Sequence, residues 1–232
     1  MIAEKIRSLF RTPSGPPLGE SVPHGFDLGR PIRARRSVQP VEMERQSNGL
    51  RQFFENLRGG GRLRILDLGG ATQANINFIT LLGYKLYTED LMVGLQNLPA
   101  TQDHGRGRNG LAARFVQENL DFPAEQFDGI LVWDALEFLE EEILAPAVSR
   151  MQTILKPGGS ILTFFHTHAK GETVPVYRYQ IRDHQTLHLQ PRVCRPLSRA
   201  FNNRNLERLF GSFRTVKFFL AKDGLREVIV TR

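Results

Sequence analysis

The sequence predicts an α/β fold, a doubly wound and mostly parallel sheet with helices on both faces. Three observations carry this. From about residue 62, short strand-like runs alternate with stretches of helical period, as in βαβ units. The first run, "ILDL" (65–68), is apolar but for Asp67 and breaks into Gly69 and Gly70, a strand feeding a tight turn. Near the end, Asp223-Gly224 separates two strand-like runs, which is a hairpin signal and predicts a final antiparallel pair.

The elements follow in order. Residues 1–40 are rich in Pro, Gly and Arg and show no sustained period. They read as an irregular basic arm, with 41–232 as the folded domain. Ile2, Ile6, Leu9 and Phe10 can form one face of a short helix within the arm. "EMERQSNGLRQFFENL" (42–57) reads as a helix that stops at Gly59-Gly60-Gly61. "LRILDL" is a strand, "ANINFITLLG" a helix, "KLYTED" a strand and "LMVGLQNL" a helix. "TQDHGRGRNG" is a loop, "ARFVQEN" (113–119) a strand and "FDGILVWD" the next. "LEEEILAPAVSRMQTIL" is a helix and "SILTFFH" a fifth strand. "NNRNLERLFGSF" is a helix before the terminal strands "RTVKFFLA" and "LREVIVTR".

Bulk properties bound the function. A chain of 232 residues with 41% hydrophobic residues is long enough for one sizeable core. No run of about 18 apolar residues occurs, so no membrane-spanning helix is expected. The N-terminus lacks the apolar core of a secretory signal. Cys194 is alone, which excludes an internal disulfide framework and a CxxC metal or redox pair. The simplest reading is a cytoplasmic protein without a metal. The formal charge of +7 permits a nucleic-acid or other anionic partner without requiring one.

In a doubly wound sheet, ligands sit outside the carboxyl ends of the strands. The candidates there are Asp67, Gly69, Gly70 and Ala71 after strand one, and Glu89 and Asp90 after strand two. Glu118 and Asn119 close strand three, Trp133 and Asp134 strand four, and His166 and His168 strand five. The row suits a nucleoside cofactor. An acid after strand two can accept both ribose hydroxyls. A polar group after strand three can read an adenine edge, and small residues after strand one let backbone N–H groups approach. Each acid is equally suited to cap the following helix.

Over about residues 50–232 these features resemble the class I S-adenosylmethionine-dependent methyltransferases. "ILDLGGATQ" is similar to their first motif, and Gly83 and Asp90 fall 16 and 23 residues after Asp67 as in many members. "FPAEQFDGILVWDALEFLE" resembles their fourth-strand block, and "ILKPGGSILTFF" their entry to strand five. The resemblance implies a seven-stranded sheet whose terminal strand runs antiparallel, S-adenosyl-L-methionine as cofactor, and methylation of a small or medium-sized acceptor. Ala71 and Gln73 stand where the family has glycines, and Phe138 replaces a frequent His. Gln73 and Asn75 can hydrogen-bond the methionine carboxylate, and Asn75 can equally cap its helix.

On the acceptor side, "WDALE" is not the Asn/Asp-Pro-Pro-aromatic sequence of enzymes that modify adenine or glutamine nitrogens. A lone Cys does not support the two-cysteine cytosine route. Transfer to oxygen, or to nitrogen of a small acceptor, is what these absences leave. His166 and His168 are the candidate bases, or hydrogen-bond the following loop. The long connection after strand five carries Tyr177, Arg178, Tyr179, Arg182 and His184. These can hold an acceptor's carboxylate, phosphate or planar group, or form a solvated hairpin with alternating faces. RNA stays open as a partner through Arg30, Arg33, Arg35 and Arg36 of the arm, and oligomeric state is not legible. Two other readings compete. One is a nucleoside- or RNA-binding module on the same fold, motivated by Gln73. The other is a nicotinamide dehydrogenase, into whose fingerprint "GGATQA" fits poorly.

Overall fold

In the computed structural model, which describes residues 41–57, 61–98, 108–221 and 223–232, two sheets form. The arm over 1–40, residues 58–60 around the expected helix stop, and 101–107 of the expected loop lie outside the described residues. In chain order the elements begin with β1 (Met43–Gln46), α1 (Asn48–Asn56), β2 (Arg64–Asp67), α2 (Gln73–Leu81), β3 (Lys85–Thr88) and α3 (Leu91–Gln96). Next come α4 (Arg108–Asn119), β4 (Phe127–Trp133), a 3-10 turn over Ala135–Phe138, α5 (Glu141–Ile154) and β5 (Leu155–His166). The chain closes with β6 (Thr173–Ile181), β7 (Thr186–Pro196), α6 (Asn203–Leu209), β8 (Thr215–Leu220) and β9 (Leu225–Thr231).

The main sheet has six strands in the order β3-β2-β4-β5-β9-β8. β3, β2, β4 and β5 are parallel, while β9 runs antiparallel to β5 and to β8. The chain leaves β2 for β3 on one side and returns to β4 on the other. Their carboxyl ends therefore flank a switch point, where such sheets place ligands. Buried side chains alternate between the two faces. Leu66, Ile130, Val132, Ile161, Phe165 and Val230 join one core cluster; Ile65, Leu131, Trp133, Leu162, Phe164 and Ile229 join the other. This two-residue period in near-continuous apolar runs marks strands covered on both sides. The Asp223-Gly224 turn forms as expected, with Gly224 at φ 81°, a conformation that suits glycine.

Two expectations are corrected. First, "ARFVQEN" is helical and belongs to α4, so the main sheet has six strands and not seven. Ala112, Phe115 and Asn119 are buried while 113, 114, 117 and 118 face solvent, a spacing of three to four residues that only a helix supports. Arg114 and Glu118 pair at 2.7 Å, four residues apart on the exposed face. Second, the helix expected over 42–57 starts only at Asn48. Ser47 caps it by accepting from Leu50 N–H, and Met43–Gln46 form β1 instead, antiparallel to β7. The long connection after β5 forms a hairpin with alternating faces, one of its two expected forms: β6–β7, which with β1 makes a second sheet of order β1-β7-β6. One side of it is buried: Val174, Val176, Tyr179, Ile181, Leu187 and Leu189. Among the described residues, no helix is long and apolar enough to cross a membrane.

Candidate active site

At the end of β2, Asp67 is fully buried. Its Oδ1 accepts from the Gly69 N–H (3.0 Å) and from Trp133 Nε1 (2.6 Å), and its Oδ2 from Asn75 Nδ2 (2.8 Å). Burial raises its pKa to about 6, and these hydrogen bonds offset only part of the rise. The turn after β2 runs close against the end of β3. Gly69 bridges to Asp90, and the Gly70 N–H donates to the Glu89 carbonyl at 2.9 Å. Gly70 sits at φ 84°, and a β-carbon there would lie 2.7 Å from Asp90 Oδ2. Only glycine satisfies both constraints.

Asp90 is the N-cap of α3. Its Oδ1 accepts from the N–H groups of Met92 (3.0 Å) and Val93 (3.1 Å). Its Oδ2 pairs with Arg192 Nη1 of β7 at 3.0 Å. Thr72 caps α2 by accepting from the Asn75 N–H at 3.1 Å. The Asn75 side chain therefore neither caps nor faces outward: it clamps β6. Its Nδ2 also donates to the Tyr179 carbonyl (3.1 Å) and its Oδ1 accepts from the Ile181 N–H (2.8 Å).

Trp133 ends β4 at φ 58°, a region that bulky residues rarely enter. Its indole lies directly against Gly69, where no β-carbon would fit. It stacks on Tyr179 with ring centres 4.9 Å apart and planes 9° apart. The next residue, Asp134, is buried and its Oδ2 accepts from the Tyr177 N–H at 3.1 Å. Burial, and after it the charge of Glu137, raises the Asp134 pKa to about 7.

Glu137, in the 3-10 turn, is also buried. Its carboxylate accepts from the His166 N–H at 2.9 Å and pairs with His166 Nδ1. His166 Nε2 is buried without a hydrogen-bond partner, while the Tyr179 hydroxyl faces the Asp134 carboxylate. The Tyr177 ring lies over His166 with centres 6.4 Å apart, and the exposed His168 meets it edge-on at 5.8 Å.

The strand ends thus bring together Asp67, Gly69, Gly70, Asn75, Glu89, Asp90, Trp133, Asp134, His166, His168, Tyr177 and Tyr179. Other predicted residues are placed elsewhere. Glu118 is exposed on α4, paired with Arg114. Asn119 ends the same helix, where its Nδ2 donates to the Phe115 carbonyl at 2.8 Å and its amide packs against Gly94. Neither closes a strand, because the segment expected as a strand over 113–119 belongs to α4. Gln73 and Ala71 are exposed, and the Gln73 amide donates to Asn77 Oδ1 at 2.7 Å. Arg178 is exposed, and His184 packs edge-on to Phe54 and Phe78. Two site residues escaped the sequence reading. Glu137 lay in the quoted "LEF" block, where its acid was the available signal; Arg192 had none, since its partner is 102 positions away.

The family model of a methyltransferase domain matches residues 66–163, from within β2 into β5. The match covers less than half of the chain, and over it the segment is similar to a methyltransferase domain. Its chemistry is methyl transfer, and the cofactor of the class is S-adenosyl-L-methionine. Among solved structures, the chain is similar to 1,6-didemethyltoxoflavin-N1-methyltransferase of Burkholderia thailandensis, crystallised with 1,6-didemethyltoxoflavin and S-adenosylhomocysteine. The identity is 17%, over 79% of this chain and 75% of that one, with a TM-score of 0.44. It is similar to the glycopeptide N-methyltransferase MtfA at 14% identity, over 79% and 90% of the two chains, TM-score 0.40. A SAM-dependent methyltransferase of Archaeoglobus fulgidus matches at 14%, over 79% and 91%, TM-score 0.42. No curated protein matches.

The residue types at the methyltransferase strand ends fit the cofactor: an acid after β2, two acids after β3, and between them a turn that admits no β-carbon at Gly69 or Gly70. Their present hydrogen bonds, however, are made within the chain.

Proposed function

We propose that the chain transfers a methyl group from S-adenosyl-L-methionine to an oxygen or nitrogen of a small or medium-sized acceptor. The observation that carries this is the buried Glu137–His166 pair, set at the end of β5 beside the proposed cofactor row, with Nε2 unpartnered. On this reading Asp90 and Glu89 receive the ribose hydroxyls. Backbone groups of Gly69, Gly70 and Ala71 line the cofactor, and Asp67, Gln73 and Asn75 lie toward its methionine end. Trp133 and Asp134 border the reacting region.

The cofactor supplies an electrophilic methyl on a sulfonium. The protein's part is to hold the acceptor in line at about 3 Å and to take its proton. Glu137 engages Nδ1 of His166, which fixes the ring and leaves Nε2 for a hydroxyl or amine proton. Tyr177, Tyr179 and Arg178 are the acceptor-side candidates, with His168 at the rim.

Calorimetric titration with S-adenosylhomocysteine tests the cofactor half. Micromolar binding is expected, lost in Asp90→Ala; no binding to folded protein would sink the reading. The acceptor half is tested on any acceptor found by labelled-methyl screening. His166→Gln should lower turnover by roughly 10²–10⁴-fold, the range of general-base catalysis, with S-adenosylhomocysteine affinity unchanged.

The second reading, a catalytically weak nucleoside- or RNA-binding module, is favoured by the engagement of Asp67 and Asp90 within the chain. RNA binding without methyl uptake into any acceptor pool would select it.

A further inference from the structure

We propose that the β6–β7 hairpin is a displaceable plug: in this structure it takes the cofactor's place, so that hairpin docking and cofactor binding exclude each other. The inference rests on the cofactor site proposed above.

The hairpin touches each part of the strand-end row separately. Arg192 holds the Asp90 carboxylate, the group proposed to receive the ribose. The Tyr179 carbonyl and Ile181 N–H hold Asn75 at the start of α2. The Tyr179 ring stacks on Trp133 and so backs the indole that lies against Gly69. The Tyr177 N–H holds Asp134, and its ring covers His166. A hairpin that merely walled an acceptor pocket would leave the Asp90 carboxylate and the Asn75 amide at the start of α2 open. This one has its contacts on those groups.

The docked state also carries unmet demands, which is why we infer that it can open. It buries His166 Nε2 without a partner, an arrangement that folded proteins avoid. Trp133, on which the Tyr179 ring stacks, sits at positive φ. The Arg192–Asp90 latch is part-exposed, its side chains 26% and 20% accessible, so it is a weak tie. The part of the hairpin that carries Tyr177 and Arg192 lies beyond the β1 pairing, which ends at Met43↔Leu189. That part also contains the register shift between Val176 and Tyr177.

When the competent state is a minor fraction, apparent affinity falls by that fraction. Arg192→Ala, which loosens the plug, should therefore tighten S-adenosylhomocysteine binding, by roughly two- to fivefold for an exposed ion pair. Hydrogen exchange of the parent protein gives a readout that needs no variant: saturating S-adenosylhomocysteine should speed exchange of amides within 173–196. Trp133 is the single tryptophan, and its emission should shift to the red as the indole leaves its stack. Binding with slowed or unchanged exchange in 173–196, and no gain in Arg192→Ala, would overturn the plug while leaving the cofactor site standing. Absence of binding in both the parent and Arg192→Ala, each shown folded by circular dichroism, would overturn both.

Discussion

Glu227→Ala is expected to destabilise the fold by roughly 3–5 kcal/mol, the cost of stripping one partner from a buried ion pair. Glu227 and Arg45 are buried, and Arg45 Nη2 lies 2.8 Å from Glu227 Oε1. Arg45 also reaches Asp223 Oδ2 (2.8 Å) and the Leu225 carbonyl (3.1 Å). Glu227 does more than balance a charge. Its Oε2 accepts from the Ser47 hydroxyl at 3.0 Å and from the Gly49 N–H, so it occupies the first turn of α1, where free N–H groups and the helix dipole favour an anion. Alanine would leave a guanidinium in the core with one part-exposed carboxylate, and a helix start without its acceptor. Urea denaturation measures the loss. The sharper check is the double variant Arg45→Met with Glu227→Leu, which removes both charges and fills similar volume. It should recover much of the loss, since apolar replacements of buried pairs are often neutral or better. If the double variant is as unstable as Glu227→Ala, the penalty lies in the helix start and not in the orphaned charge.

The same pair explains why part of the fold was illegible. "MERQ" has no apolar period of its own. It becomes β1 because β7, over 140 positions away, offers a partner, and because Arg45 finds Glu227. Local pattern cannot see either. "ARFVQEN" misled differently: Phe115 and Val116 suggest a strand, while the deciding feature is the wider spacing Ala112–Phe115–Asn119. By contrast β2, β4, β5 and the β8–β9 hairpin were legible, because buried parallel strands write apolar runs and the final turn writes Asp-Gly. The acids of the candidate site were legible for the same reason, each being the residue that ends such a run. Their orientation was not. Whether Asp67 and Asp90 face a ligand or their own chain depends on Trp133, Asn75 and Arg192, and Asn75 in turn depends on Tyr179 and Ile181. Those partnerships are set by tertiary docking of the hairpin, which leaves no periodic trace.

The second large effect is pH-dependent. Asp134→Asn is expected to stabilise the protein at pH 8 and to leave it nearly unchanged near pH 4. Burial and the neighbouring Glu137 raise the Asp134 pKa from 3.8 to about 7. Between those values the folded state holds a proton that the unfolded state has released. Stability attached to this group is therefore complete below about pH 4 and falls as pH rises through 7. The full shift corresponds to roughly 4 kcal/mol at 1.36 kcal/mol per pKa unit, and relaxation of the hairpin lowers what is realised to about 2–4 kcal/mol. Asparagine escapes the penalty, because it carries no charge and its carbonyl can still accept the Tyr177 N–H. Urea midpoints of parent and variant at pH 4, 6 and 8 measure it. Asp67, raised to about 6, adds a slope of the same sign to both proteins over a lower window and cancels in the difference. A gap that is equal at pH 4 and pH 8 would mean that Asp134 does not titrate there. The sign ties stability to the site. Above pH 7 a newly ionised Asp134 stands buried beside Glu137, and the hydrogen bond from the Tyr177 N–H of β6, which favours the charged form, offsets only part of that cost.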